Sequence, residues 1–241
     1  MIVEIFIPCF IDQIYPETAM NMVKVLEKVG CGVNYNAEQT CCGQPAFNAG
    51  YWDYCKEVGE KFIKEFPEDR YIVTPSASCA GFVKNNYHEV FHNSVLHNEY
   101  KQVRKNLYEF SDFLVNVMKI TDIGAKLDGV ATFHDSCSGL REYGIKREPR
   151  VLLEKVKGLK LVEMNDCETC CGFGGTFAAK FEPIAVGMIE QKVQNAIATG
   201  ADYIISTDTS CLMHIDSYTK KNNLPLKAMH IADVLACGWE S

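Results

Sequence analysis

The sequence contains no run of 18 or more apolar residues, so it offers no segment that could span a bilayer as a helix. It has no Lys/Arg-rich stretch either: 24 basic side chains stand against 31 acidic ones, a formal charge of −7. Nucleic acid and anionic membrane surfaces are therefore not expected partners. No Ser-His-Asp, His-Glu-x-x-His or paired-carboxylate pattern is present, and neither a flavin nor a nicotinamide fingerprint. Hydrolysis and hydride transfer are thus not expected of this chain itself. The N-terminal residues have no basic lead, their apolar run is interrupted by Glu4 and ends at Pro8, and they do not read as a signal peptide. The expectation is a cytoplasmic globular protein, with 47% hydrophobic and 23% charged residues in a chain of 241.

What the sequence does have is twelve cysteines. In a reducing compartment such cysteines act as metal ligands, catalysts or core residues more often than as bridges. Their spacing repeats. Cys9 precedes Cys41 by 32 positions and Cys137 precedes Cys170 by 33; Cys79 follows Cys42 by 37 and Cys211 follows Cys171 by 40. Each doublet runs into glycine, as Thr40-Cys41-Cys42-Gly43 and Thr169-Cys170-Cys171-Gly172, and each final cysteine follows a serine. Four matched landmarks in order predict a duplication, with domains at 1–125 and 126–241.

The periodicities agree. Residues 3–7, 32–36 and 71–74 in the first half, and 130–134, 159–164 and 203–206 in the second, read as short buried strands. Helical patterns fall at 17–29 and 52–66, and at 149–156 and 183–199. Alternating strands and helices predict an α/β fold, with a small parallel sheet and covering helices in each half. Cys9, Cys79, Cys137 and Cys211 then follow strand C-termini, where ligands bind in open α/β sheets. Each doublet sits in a loop before a helix, whose amides can donate to anionic sulfur. Four thiolates converging on one spot need a metal ion or an iron–sulfur cluster to offset their charge. Iron–sulfur is favoured over zinc, which also accepts four thiolates.

These quartets, Cys9…Cys41-Cys42-Gly43…Cys79 and Cys137…Cys170-Cys171-Gly172…Cys211, resemble the duplicated cysteine-rich CCG domain. That family includes the disulfide-cleaving component of heterodisulfide reductase, the glycolate oxidase iron–sulfur subunit and the lactate-utilization proteins. The likeness covers nearly the whole chain, and without a ferredoxin domain among these residues it is greatest to the lactate-utilization members. The resemblance implies two tandem, pseudo-twofold-related CCG repeats. It also implies an iron–sulfur electron-transfer subunit of a complex that oxidises L-lactate, or a similar 2-hydroxy acid, to pyruvate. Its partners would be other lactate-utilization subunits, one of them an iron–sulfur protein. Its cofactor would be one or two clusters of the 4Fe–4S type on the eight named cysteines, with zinc as the alternative in either half. The fullest family pattern ends in Cys-x-x-Cys; here Ser76 and Asp208 stand where that extra cysteine would be. This disfavours a heterodisulfide-type thiol/disulfide reductase, which stays as an alternative beside a zinc-stabilised, non-catalytic scaffold.

The remaining candidates are weaker. Cys31, Cys55 and Cys237 have no counterparts in the other half and read as packing residues. Cys167 forms a Cys-x-x-Cys with Cys170 but has Ala37 in register, and is an outside candidate. Gly172-Phe173-Gly174-Gly175 lacks phosphate-loop spacing and reads as a close approach of backbone to a bound group. His134 reads first as a hydrogen-bonded structural histidine, and second as a donor or proton carrier beside that group. For Arg141 a surface ion pair and a charge-offsetting or carboxylate-binding role are even readings. The histidine-containing stretch 88–97 reads as a solvated helix or loop.

Overall fold

The computed structural model describes residues 1–66 and 69–239. Its strands are β1 (Ile2–Ile5), β2 (Gly32–Tyr35), β3 (Ile72–Thr74), β4 (Leu107–Glu109), β5 (Lys126–Phe133), β6 (Lys157–Leu161), β7 (Tyr203–Ser206) and β8 (Lys227–His230). They form two parallel sheets of the same order, β2-β1-β3-β4 and β6-β5-β7-β8. In both sheets the order reverses between the first and third strands. That reversal opens a crevice beyond their C-terminal ends, where doubly wound sheets bind ligands.

Successive strand residues face opposite sides of a sheet, and each sheet uses both. Val3, Ile5 and Val73 from one sheet meet Phe133 and Ile205 from the other in a core shared by the two halves. The opposite faces build separate cores: Phe6 and Ile72 with Phe62, Phe82 and Tyr87 in the first half, Ile204 with Ile189 and Val193 in the second. The long helices Trp52–Glu65 and Glu182–Ile197 bury matching positions 130 residues apart, Cys55 with Ala185, Gly59 with Ile189, Phe62 with Lys192 and Ile63 with Val193. The repeat is therefore one of packing as well as of cysteines.

The expected strands and helices are present with ends shifted by a few residues; the helix expected at 149–156, for instance, spans Arg147–Leu153. Edge strands β4 and β8 are additions to the expected pattern, the first being three residues long and the second reading Lys-Ala-Met-His. The stretch 88–97 is not simply solvated: Phe91 ends the helix Ala77–Phe91 fully buried against Tyr87 and Tyr100. Among the described residues no helix is long and apolar enough to cross a membrane.

Candidate metal centre

Each quartet is delivered by three loops. Cys9 follows β1 and opens the helix Cys9–Ile14; Cys79 lies in the first turn of Ala77–Phe91, after β3; the doublet lies between β2 and the helix Gln44–Asn48. The second half repeats this, with Cys137 after β5, Cys211 in the first turn of Thr209–Lys221, and the doublet ahead of Thr176–Lys180. All eight cysteines line one cavity of about 490 Å³. The quartets thus share a space instead of occupying two isolated sites. Phe10 and Phe173, edge to face with ring centroids 5.8 Å apart, join the halves beside it.

The doublet loops are built alike. Gly43 and Gly172 take φ of +89° and +86°, which an L side chain resists. A Cβ on Gly172 would stand 2.9 Å from the Ala185 carbonyl oxygen, and one on Gly43 would stand 3.2 Å from the Cys55 carbonyl oxygen and Sγ. With this turn the amide of each glycine donates to the doublet's first sulfur: Gly43 to Cys41 Sγ and Gly172 to Cys170 Sγ, both at 3.4 Å. Such N–H···S bonds stabilise negative charge on sulfur.

The sulfurs interact strongly. Cys9 Sγ lies 3.8 Å from Cys41 Sγ. Hydrogen bonds from Cys42 and Cys9, joined by the Gly43 amide, bring the Cys41 thiol down to about 3, while their contact with Cys41 pushes Cys9 and Cys42 up. In the second half, the hydrogen bond to Cys170 and burial push Cys137 up. Cys171 is drawn down by Cys170 but raised more by Cys211 and burial.

This donor set fits a metal group. A single tetrahedral ion with ~2.3 Å bonds would draw all four sulfurs to about 3.8 Å of one another. Neither quartet does this: among the described residues, no three sulfurs of one quartet all lie within 4.8 Å of one another. The compact group lies in the second half, where ligand atoms of His134, Cys171 and Cys211 are mutually within 4.8 Å and all three residues are buried.

Ser76 and Asp208 cap helices. Ser76 Oγ accepts from the Cys79 amide at 3.3 Å. Asp208 Oδ1 accepts from the Ser210 amide at 3.3 Å and its hydroxyl at 2.6 Å, while Oδ2 reaches across to the Ser78 amide at 2.9 Å. One carboxylate thus caps a helix in each half.

His134 faces both the Cys167 backbone and the sulfurs of Cys171 and Cys211. It is fully buried, and among the described residues neither ring nitrogen has a hydrogen-bond partner of normal geometry. Burial and the nearby Lys192 lower its pKa to about 3, so the ring is neutral. Arg141 is not among the cavity-lining residues; its guanidinium donates to the Glu168 carbonyl at 3.3 Å and its charge helps to lower the pKa of the Glu168 carboxyl. Cys167 is also outside the cavity lining. Cys31 and Cys55 are core residues, and Cys237 Sγ donates to the Asp233 carbonyl at 3.2 Å.

Sequence reasoning missed the supports of the second quartet. Buried Asp135 receives both arms of the Arg150 guanidinium, at 2.9 and 2.8 Å, and Glu163 holds the same guanidinium. Lys192, 1% exposed, donates from Nζ to the Asp166 and Cys167 carbonyls ahead of the doublet. The signal available was polar residues in register with apolar ones: Asp135 with Ile7, and Lys192 with Phe62.

A parallel-sheet fold, duplicated and presenting eight thiols to one cavity, defines a tandem cysteine-rich domain protein. The CCG cysteine-rich domain family matches residues 3–84 and 131–216, and the chain belongs to it. It is 42% identical over 236 residues to lactate utilization protein A of Geobacillus kaustophilus (strain HTA426), covering 98% of each chain. To the protein of that name from Bacillus thuringiensis (strain Al Hakam) it is 40% identical over 235 residues, again with 98% coverage of each. Among solved structures it resembles a hypothetical protein from Helicobacter pylori, with a TM-score of 0.57 and 11% identity, over all of this chain and 49% of that one. That likeness concerns the fold, and this chain spans about half of that protein's length.

Proposed function

We propose that this chain is the iron–sulfur electron-transfer subunit of a complex that oxidises L-lactate, or a similar 2-hydroxy acid, to pyruvate. The observation that carries the reading is eight cysteines lining one cavity, in a chain aligned over 98% of its length with relatives named for lactate utilization. Cys9, Cys41, Cys42 and Cys79 would hold one group and Cys137, Cys170, Cys171 and Cys211 the other, in repeats divided at 1–125 and 126–241. The group would supply one-electron storage, suited to the two electrons released per lactate. The chain's own residues do the rest. The Gly43 and Gly172 amides stabilise charge on Cys41 and Cys170, and burial of Cys42, Cys79, Cys171 and Cys211 limits access of water. Neither Ser76 nor Asp208 adds a thiol, which speaks against a heterodisulfide-type reductase. Hydroxy-acid chemistry belongs to partner subunits, in a cytoplasm whose reducing conditions favour metal-bound over bridged cysteines.

The test uses anaerobically purified chain with its metal content measured. L-lactate alone should leave its visible absorption unchanged, and L-lactate with the other lactate-utilization subunits should bleach it. Lactate oxidation by the purified chain unaided would overturn the subunit reading. Stoichiometric zinc without iron or sulfide would favour the scaffold reading, for which the compact His134–Cys171–Cys211 group is the supporting observation.

A further inference from the structure

We infer that His134 supplies a nitrogen ligand to the metal group of the second half, so that the two halves hold chemically different centres. The inference rests on the reading that the second quartet binds metal. His134 closes the strand end from which Cys137 departs, its ring is fully buried, and the Cys167 backbone takes at most one of its two nitrogens, leaving the other without a partner among the described residues. An unpaired buried polar group of this kind is costly, and the surroundings offer it two thiols whose sulfurs lie within 4.8 Å. Mixed imidazole–thiolate sets are ordinary metal sites, both for zinc and, as two histidines replacing two cysteines, for one class of iron–sulfur cluster.

The first half shows what this position does when packing alone is required. Three residues before Cys9, in register with His134, stands Phe6. Its ring packs edge-on against Phe62 at 4.8 Å and Phe66 at 5.9 Å. In the second half the counterpart of Phe62 is Lys192, so an aromatic pair has become a histidine facing a lysine. The ammonium is already taken by the Asp166 and Cys167 carbonyls and does not satisfy the imidazole. The exchange therefore provides a donor where the first half has a hydrocarbon. With a neutral imidazole in place of one of the four thiolates, the second centre carries one negative charge fewer and has the higher reduction potential.

The test is pulsed EPR of the reduced, full-length chain carrying isotopically labelled histidine, with His134→Phe, Cys41→Ser and Cys170→Ser beside it. His214 is the control, because it lies against Phe173 next to the second doublet. The expected result is a histidine nitrogen coupling that survives Cys41→Ser and His214→Phe and is lost in His134→Phe. If the chain takes up zinc instead, X-ray absorption at the zinc edge should show one nitrogen at about 2.0–2.1 Å. The wild-type protein decides the matter even if His134→Phe does not fold. Metal bound with no nitrogen signal, or a signal that follows His214, overturns the inference. A Cys170→Ser chain with unchanged metal content overturns instead the reading on which it rests.

Discussion

Removing the Asp208 carboxylate should weaken both halves at once. Asp208 is 2% exposed and its two oxygens cap the helix Thr209–Lys221, through Ser210, and the helix Ala77–Phe91, through Ser78. Loss of one N-cap costs about 1 kcal/mol, within a range of roughly 0.5–2. Asp208→Ala removes the N-cap of Thr209–Lys221 and one further amide bond at the start of Ala77–Phe91, whose own cap Ser76 remains, and the negative charge near both helix N-termini goes with them, so a cost of about 2 kcal/mol is expected. For a chain of this size each kcal/mol lowers the melting temperature by about 2–4 °C, giving a drop of about 4–8 °C. Ser76→Ala is the internal scale, because Ser76 accepts from one amide, that of Cys79. It should cost about 1 kcal/mol, and Asp208→Asn, which keeps one acceptor, should fall between. The assay is thermal unfolding followed by circular dichroism under anaerobic conditions at matched metal content. If Asp208→Ala costs no more than Ser76→Ala, the carboxylate does not tie the halves together and the reasoning fails.

Arg150→Met should strand the buried Asp135 carboxylate and cost about 3–5 kcal/mol; the urea midpoint measures this, and Arg150→Met with Asp135→Leu should recover most of the loss. Gly43→Ala and Gly172→Ala should each reduce bound metal in their own half, Gly172→Ala more severely because its Cβ meets backbone at 2.9 Å; metal analysis of each variant checks the order. Glu109 is fully buried with one oxygen unpaired among the described residues, and burial raises its pKa to about 8. Its folded-state value lies above the unfolded one near ~4.3, so the folded state holds the proton more tightly. Its contribution to stability is full below pH ~4.3 and is lost as pH rises towards 8. Glu109→Gln should flatten that part of the stability profile in denaturant titrations across this window.

The duplication, the parallel α/β class and the cavity-lining cysteines were legible because each rests on a local pattern. Short β-branched runs end just before Cys9 and Cys137, and a positive-φ glycine follows each doublet. The edge strands were not legible: β4 is three residues long and β8 has weak strand propensity, so pairing with β3 and β7 decides their conformation. The support of the second quartet was hidden for another reason. Arg150 reads in sequence as one more surface charge and Lys192 as a solvated helical lysine, and only the packed halves bring them to Asp135 and to the Cys167 carbonyl. The surroundings of His134 were hidden too, because sequence does not reveal that its ring is enclosed beside the Cys167 backbone and the Cys171 and Cys211 sulfurs.

The most direct test of the central claim is iron, zinc and acid-labile sulfide analysis of anaerobically purified chain, with EPR, repeated on Cys41→Ser and Cys170→Ser. The account predicts iron and sulfide in the wild type and loss of about half the signal in each variant, one centre to each quartet. Zinc without iron or sulfide, or metal content untouched by both substitutions, would contradict it.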